Sequence, residues 1–570
     1  MSNIPKEPIT FTDRTRFLAE LSQNDATSKP QEWDVIVIGG GIVGAGILQE
    51  ATRRGFKALL IEQQDFAWGT SSRSSKMVHG GLRYIAQGDI KLTKHALQER
   101  ERLLKEAPGL INRMGYYFIL KQGQFPGRFI MSALLYLYDW LAGIKDHRFV
   151  DIDNTITQFP SLAKGNLTGS CYYTDSTVDD TRLVMRVLQE SIQAGAQAIN
   201  YVKATTLVKD PTTKQVVGVK IQNSSHNETE SEIFTLKSKV VINATGAWAD
   251  RLRSEVINEK RVRPLRGSHL VVPHAKLPID AALTILHSDD KRPVFIYPWE
   301  GATIIGTTDL DHQDNLDNEA KISQAEMDYL MQVVSENFPK NIIAYQDIIS
   351  TFSGVRPVIS SDKHYSKQAS KERRDHAIWA ENGLVTASGG KLTTFRLTAI
   401  EALNAALPWL ITSISNNQNN NKQHDDKVFS NHSFEQLFSE TDEHNKVWLQ
   451  RLVGRYGNNA PLLLSKTSKV EAITIENTQF CLAECRWAIK NEAVIYLDDL
   501  LLRRTRLGLL LKNGAESLFS QLADIFQQEL GWDNIKWQDE VTRYKAIWKK
   551  SYYLPMSTHN NTDDKTAKKS

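Results

Sequence analysis

Residues 70–84 read TSSRSSKMVHGGLRY, with two arginines, a lysine and a histidine among small residues and no acid to neutralise them. Charge of one sign on such a compliant backbone suits an anionic or electron-rich partner. Upstream, VIVIGGGIVGAG at 35–46 sets Gly39, Gly41 and Gly44 in the G-x-G-x-x-G order behind an apolar run. That spacing predicts a strand, a tight turn at Gly39, close backbone approach to a pyrophosphate at Gly41, and helix–strand packing at Gly44. The following helix would offer unpaired N–H groups and a positive dipole end to the phosphates. Glu62 closes the next apolar run, KALLIE, 18 residues after Gly44, and its carboxylate can accept bonds from ribose hydroxyls.

These groups need a layered scaffold. WDVIVI and KALLIE read as buried parallel strands, and helical periodicity recurs at about 91–106 and 181–194. QAINYVKATTLVKD and KQVVGVKI read as paired strands, KVVINATGAWAD as another buried strand, and SHLVVP, VFIYPW and TIIGTTD as further strands. GLVTASGGKLTTFRLTAIEAL runs strand, glycine turn, helix. The polar run SNNQNNNKQHDD at 415–426 marks a linker. The expected domains are a mobile polar head at 1–30, an interleaved cofactor and substrate unit at 31–412, a linker at 413–430, a separate helical domain at 431–555, and a disordered tail at 556–570.

A chain of 570 residues has room for two or three domains, and a net charge of +3 argues against a nucleic-acid binder. The three cysteines, Cys171, Cys481 and Cys485, suit a reducing compartment and read as structural; no metal set is expected. The N-terminal residues lack a secretory h-region. FIMSALLYLYDWLAGI at 129–144, interrupted by Asp139, is shorter than the roughly 18 residues of a spanning helix. It fits either a buried amphipathic helix or one lying in a leaflet surface. The basic stretch RYKAIWKKSYYLP at 543–555 fits equally a solvated helix end or a lipid-facing one.

There is one dinucleotide fingerprint and no second, which favours FAD over a flavoenzyme reduced by a nicotinamide. The motifs IGGGIVGAGI, GTSSRSSKMVHGGLRY, YYTDSTVDDTRL, INATGAW, RGSHLVVP, IIGTTD, SGVRP and GGKLTTFR stand in this order. In these the chain resembles the FAD-dependent, respiratory-type glycerol-3-phosphate dehydrogenases, over about 33–405 and again around 486–511. Two positions depart from the family: QEA at 49–51, where Ala and Asp are usual in the first two places, and Phe395, where Tyr is usual. The resemblance implies an α/β flavoprotein of the glutathione-reductase/D-amino-acid-oxidase kind. Its parts would be a Rossmann-like FAD domain, an antiparallel-sheet substrate domain and a C-terminal α-helical domain.

The implied reaction oxidises sn-glycerol 3-phosphate to dihydroxyacetone phosphate, with hydride passing from C2 to flavin N5 and electrons onward to a membrane quinone. The implied cofactor contacts are Gly39, Gly41, Gly44, Glu62, Thr70, Ser71, Ser72, Ser75, Lys76, Gly246, Gly389, Gly390 and Leu392. A cationic wall of Arg83, Arg356, Arg374 and Lys391 would face the substrate. Arg83 and Arg374, with Arg373 a close competitor for the latter, would bind its phosphate, the arginine fork being suited to an oxyanion, and Tyr84 would either hydrogen-bond the substrate or pack as a ring. Arg356 and Lys391 would stabilise the developing alkoxide. His79 and His269 are the candidate bases, while Asp175, Asp179 and Asp180 read as turn and N-cap residues. The expected setting is cytoplasmic, peripheral on the inner face of the cell membrane, with room for a homodimer. The rival readings are an oxidase that hands electrons to oxygen and a non-catalytic flavin-binding module.

Overall fold

The computed structural model describes residues 7–23, 32–86, 88–225, 232–360, 376–411, 427–429 and 443–555. Two sheets and a helical layer make up the fold. The first sheet contains β1 (Glu32–Ile38), β2 (Ala58–Ile61), β3 (Gln197–Ile199), β4 (Ile233–Asn243), β5 (His376–Glu381) and β6 (Leu384–Gly389), in spatial order β5-β6-β4-β1-β2-β3. A strand buried on both faces reads as a continuous apolar run, and Val35–Ile38 is such a run. Alternation along β1 sends Val35 and Val37 into the core beneath helix Ile42–Arg53. Trp33, Ile36 and Ile38 enter the core on the opposite face. Parallel pairing sets Ile38 opposite both Asn243 and Ile61. Gly39, Glu62 and Ala244 therefore emerge together at the carboxyl ends of the strands, where open α/β sheets bind ligands.

The second sheet has ten strands and is antiparallel except for one parallel pair, Ala282–Leu286 with Ile111–Lys121. Its strand Val262–Pro273 lies against Ser350–Ile359 in a register that sets His269 opposite Phe352 and Leu265 opposite Arg356. The helices from Glu443 to Ser551 form the third layer. They pack on the second sheet and share one core with it. Leu497, Leu501, Phe526 and Trp548 belong to the same apolar cluster as Tyr116, Tyr297 and Trp299.

The head, expected to be mobile, is a docked strap over residues 7–23. Helix Arg14–Ser22 buries Phe17 against the first sheet, with Asp13 as its N-cap. Backbone bonds run from Ile9 N–H to Asn459 Oδ1 and from Phe11 N–H to the Asn491 carbonyl. Polar composition hid the strap because its three or four anchors are scattered singly. Val428 and Phe429, at the end of the expected linker, are likewise buried, and the Val428 carbonyl accepts from Gln49 Nε2 at 2.6 Å. Residues 1–6, the rest of that linker, and the expected tail lie outside the described residues.

Candidate active site

A cleft of about 610 Å³ opens along the carboxyl ends of the first sheet. Gly39, Gly41, Glu62, Thr70, Ser71, Gly246, Gly389, Gly390 and Leu392 line it. Gly39 has φ +113°, and a Cβ there would stand 2.6 Å from the Ala244 carbonyl oxygen. Gly44 is off the cleft: its Cβ would stand 1.9 Å from the Gly39 carbonyl oxygen, so it sets the helix–strand approach. Glu62 accepts from Gly40 N–H at 2.6 Å and Gln64 N–H at 2.8 Å. Burial nonetheless pushes its carboxyl above the usual range. Ser71 Oγ accepts from Ile42 N–H at 3.0 Å, joining loop 65–76 to the helix N-terminus. A cleft walled by glycine backbone, a carboxylate at the end of β2 and a second glycine turn at 389–390 fits an FAD molecule. Further lining comes from Lys203–Thr205, Ser224, Trp248, Arg251 and Asp317. Of these only Trp248 belongs to a motif, INATGAW; Lys203–Thr205 come in on the strand Val202–Lys209.

Of the expected cations, Lys391 is the one seen at the cleft among the described side chains, and its ammonium sits 3.4 Å from the Tyr84 ring centroid. Two reciprocal bonds hold the segments that carry them: His79 N–H donates to Thr393 Oγ1 at 3.1 Å, and that hydroxyl donates to the His79 carbonyl at 3.2 Å. Gly80 is fixed from below, its N–H reaching Tyr138 Oη at 2.9 Å and Asp175 Oδ1 at 3.2 Å. Arg356 reaches Thr307 Oγ1 at 3.1 Å and Asp309 Oδ1 at 3.3 Å. Thr70 Oγ1 donates to the carbonyl of neighbouring Val355 at 2.5 Å, so the cofactor loop and the Arg356 strand are tied directly. His269 is buried, stacked 4.5 Å from Phe352, with Nε2 2.9 Å from Ser75 Oγ. Burial, reinforced by the positive charges of Arg356 and Lys76, holds its pKa well below the ordinary imidazole value.

Arg83 lies on the short helix Leu82–Ala86, and its side chain is outside the described set. Arg374 also lies outside the described residues.

Besides Gly44, three expected cofactor contacts lie off the cleft lining. Lys76 is fully buried and donates to the Ser72 carbonyl at 2.8 Å and to Asp180 at 2.8 Å. Ser75 is bonded to His269, and Ser72 is buried with its carbonyl turned toward Lys76. A positive φ of +56° at Lys76 turns the chain inward before it can follow the cleft. Asp175, expected at a turn, sits inside strand Leu167–Val178, where it accepts from Arg100 at 2.7 Å and Tyr138 at 2.7 Å. Asp179 is the N-cap of helix Asp180–Gln193. The three cysteines are free and buried, and no metal-holding cluster occurs among the described residues.

Comparison with known proteins matches this architecture. A family profile described as FAD dependent oxidoreductase covers residues 34–396, and one described as the C-terminal domain of alpha-glycerophosphate oxidase covers 425–536. The aerobic glycerol-3-phosphate dehydrogenase of Staphylococcus haemolyticus is 32% identical over 492 residues, 83% of this chain and 87% of that one. The enzyme of the same name from Staphylococcus aureus is 37% identical over 371 residues, 64% of this chain and 65% of that one. Among solved structures, the glycerol-3-phosphate dehydrogenase of Bacillus halodurans complexed with FAD superposes with a TM-score of 0.72 at 24% identity, over 95% of this chain and 98% of that one. The FAD-bound L-alpha-glycerophosphate oxidase of Mycoplasma pneumoniae gives 0.52 at 17% identity, over 66% and 95%. With its paired fingerprint strands, its glycine-built cleft and these relatives, the chain belongs to the family of FAD-dependent glycerol-3-phosphate dehydrogenases.

Proposed function

We propose that the protein oxidises sn-glycerol 3-phosphate at C2 to dihydroxyacetone phosphate and delivers the electrons to a quinone dissolved in the membrane. The observation that supports the substrate reading is Lys391, which lines the cleft shaped for FAD with its ammonium on the Tyr84 ring. When bound, FAD supplies the two-electron acceptor. The carbinol must lose its C2 hydrogen with the electron pair and its hydroxyl proton, leaving a C2=O bond. Arg83 and Arg374 bind the phosphate, and Arg356 and Lys391 lower the energy of negative charge growing on the C2 oxygen. An imidazole, His79 or His269, takes the proton directly or through water. His269 is kept neutral by its surroundings, and His79 lies on the turn that leads to Tyr84.

The quinone reading is supported by helix Arg128–Ala142. Its inner face buries Met131, Leu135 and Tyr138. Phe129, Tyr136 and Trp140 stand 85%, 66% and 69% exposed along the other face, with Phe125 before them at 76%. Asp139, the one acid in the run, points inward and accepts from His147 Nδ1 at 2.6 Å, so the outer stripe carries no acid. An exposed aromatic stripe of this kind fits a leaflet surface. No helix among the described residues is long and apolar enough to cross a membrane. The end at 543–555 adds little to that face: Arg543 pairs with Asp498 and Glu540, Tyr544, Trp548 and Tyr552 are buried, and Lys549 and Lys550 are exposed. A peripheral location on the inner face of the cell membrane follows from this reading.

Anaerobic addition of glycerol 3-phosphate to the yellow holoprotein should bleach the flavin band, and a quinone analogue should restore it. A band that stays unchanged would leave a flavin-binding module. Stoichiometric peroxide in air with no response to quinones would make the protein an oxidase.

A further inference from the structure

The loop that meets the cofactor cleft is held both by its own 3-10 turn, Thr70–Ser72, and from outside. Between Asp65 and Lys76 it carries left-handed backbone at two non-glycine residues, Ala67 at φ +61° and Lys76 at φ +56°. Such residues are strained and persist only where the surroundings over-determine them. Here much of the determination comes from a region more than 400 residues away in sequence. Arg503 donates to Asp65 Oδ2 at 2.5 Å, and Arg504 grips both Asp65 oxygens at 2.7 Å each. Arg506 donates to the Ser72 carbonyl and to Thr181 Oγ1 at 2.9 Å. Tyr552 Oη accepts two bonds from Arg73, at 3.2 and 2.9 Å. All three distal arginines are fully buried. They project from a π-helical turn, Asp499–Arg504, and from Arg506, which is itself left-handed at φ +61°. Between the gripped residues lie Trp68, Gly69, Thr70 and Ser71, and all four line the cleft.

We propose that the C-terminal helical layer is the template of the FAD loop, so that docking of this layer and binding of FAD are one coupled equilibrium. Arg503, Arg504, Arg506 and Tyr552 are positioning residues, acting on the cofactor only through Asp65, Ser72 and Arg73. The coupling is reciprocal: whatever the docked layer adds to FAD affinity, FAD returns to docking. This inference rests on FAD as cofactor and not on the substrate or the acceptor.

The test uses the full chain, with and without FAD. Hydrogen exchange at residues 497–510 should slow when FAD is added to the wild-type apoprotein. Tyr552→Phe removes one hydroxyl from a buried ring and keeps its packing; it should raise the FAD dissociation constant severalfold, read by flavin fluorescence. Arg506→Met should raise it more than tenfold. A purely structural role would lower the melting temperature of both variants and leave FAD affinity untouched. That outcome, or exchange at 497–510 indifferent to FAD, would overturn the proposal. If Arg506→Met does not fold, the Tyr552→Phe titration and the wild-type exchange decide it by themselves.

Discussion

His269 shows how a single environment sets what a residue can do. Its ring is stacked on Phe352, bonded to Ser75 and flanked by Arg356 and Lys76, and each cation opposes a further positive charge. The folded ring therefore resists a proton that the unfolded chain accepts below about pH 6.5. Because the unfolded state binds more protons there, stability falls as pH drops below that value and is complete above it. His269→Gln should flatten this acid-side loss, measured as denaturant midpoints of wild type and variant between neutral pH and mild acid. Lys391 makes a different contribution. Its ammonium lies on the Tyr84 ring at the cleft, where a fixed positive charge does most for a developing alkoxide. Lys391→Met should slow anaerobic flavin reduction by at least about 100-fold with FAD still bound, the scale for loss of one preorganised stabilising group. Unchanged single-turnover rates in stopped flow would remove Lys391 from the chemistry.

At the scale of elements, helix Arg128–Ala142 has two occupied faces. The inner one reaches the active-site turn, since Tyr138 Oη accepts from Gly80 N–H and donates to Asp175. The outer one presents Phe129, Tyr136 and Trp140 to the surroundings. Each large apolar side chain moved out of water contributes about 1.5–3 kcal/mol. Phe129→Ser with Trp140→Ser should weaken binding to phospholipid vesicles at least about tenfold, since 1.4 kcal/mol is already a factor of ten. Turnover with a soluble acceptor should stay at the wild-type level. Flotation of the double variant as efficient as that of wild type would remove the helix from the membrane reading. The sequence already contained the helix, but Asp139 obscured its outer stripe. Only the inward turn of Asp139, toward His147, shows the stripe to be continuous.

For the whole molecule, the segments that looked peripheral hold the layers together. The strap at 7–23 joins the first sheet, through Phe17, to the helical layer, through Asn459 and Asn491. Phe17→Ala would remove its one fully inserted side chain, a change of about 3 kcal/mol where an aromatic is truncated in a core. Limited proteolysis should then cut before residue 32 much faster than in wild type; equal cutting rates would show that backbone bonds alone hold the strap.

The sequence by itself determined the nucleotide half of the site. Gly39, Gly41, Gly44 and Glu62 act through backbone geometry and strand ends, which are local, so their spacing was enough to read them. The order of the motifs was enough to read the family. Only the tertiary structure decided where the long, charged side chains point. Lys76 looked like a cofactor contact from its neighbours in the chain, yet its partners are Asp180 and the Ser72 carbonyl. Arg503, Arg504 and Arg506 carry no motif in the sequence, yet they grip Asp65 and Ser72 across the fold. A buried ion must find its counter-charge or leave the interior, and that partner is set by the packing of the layers rather than by proximity along the chain.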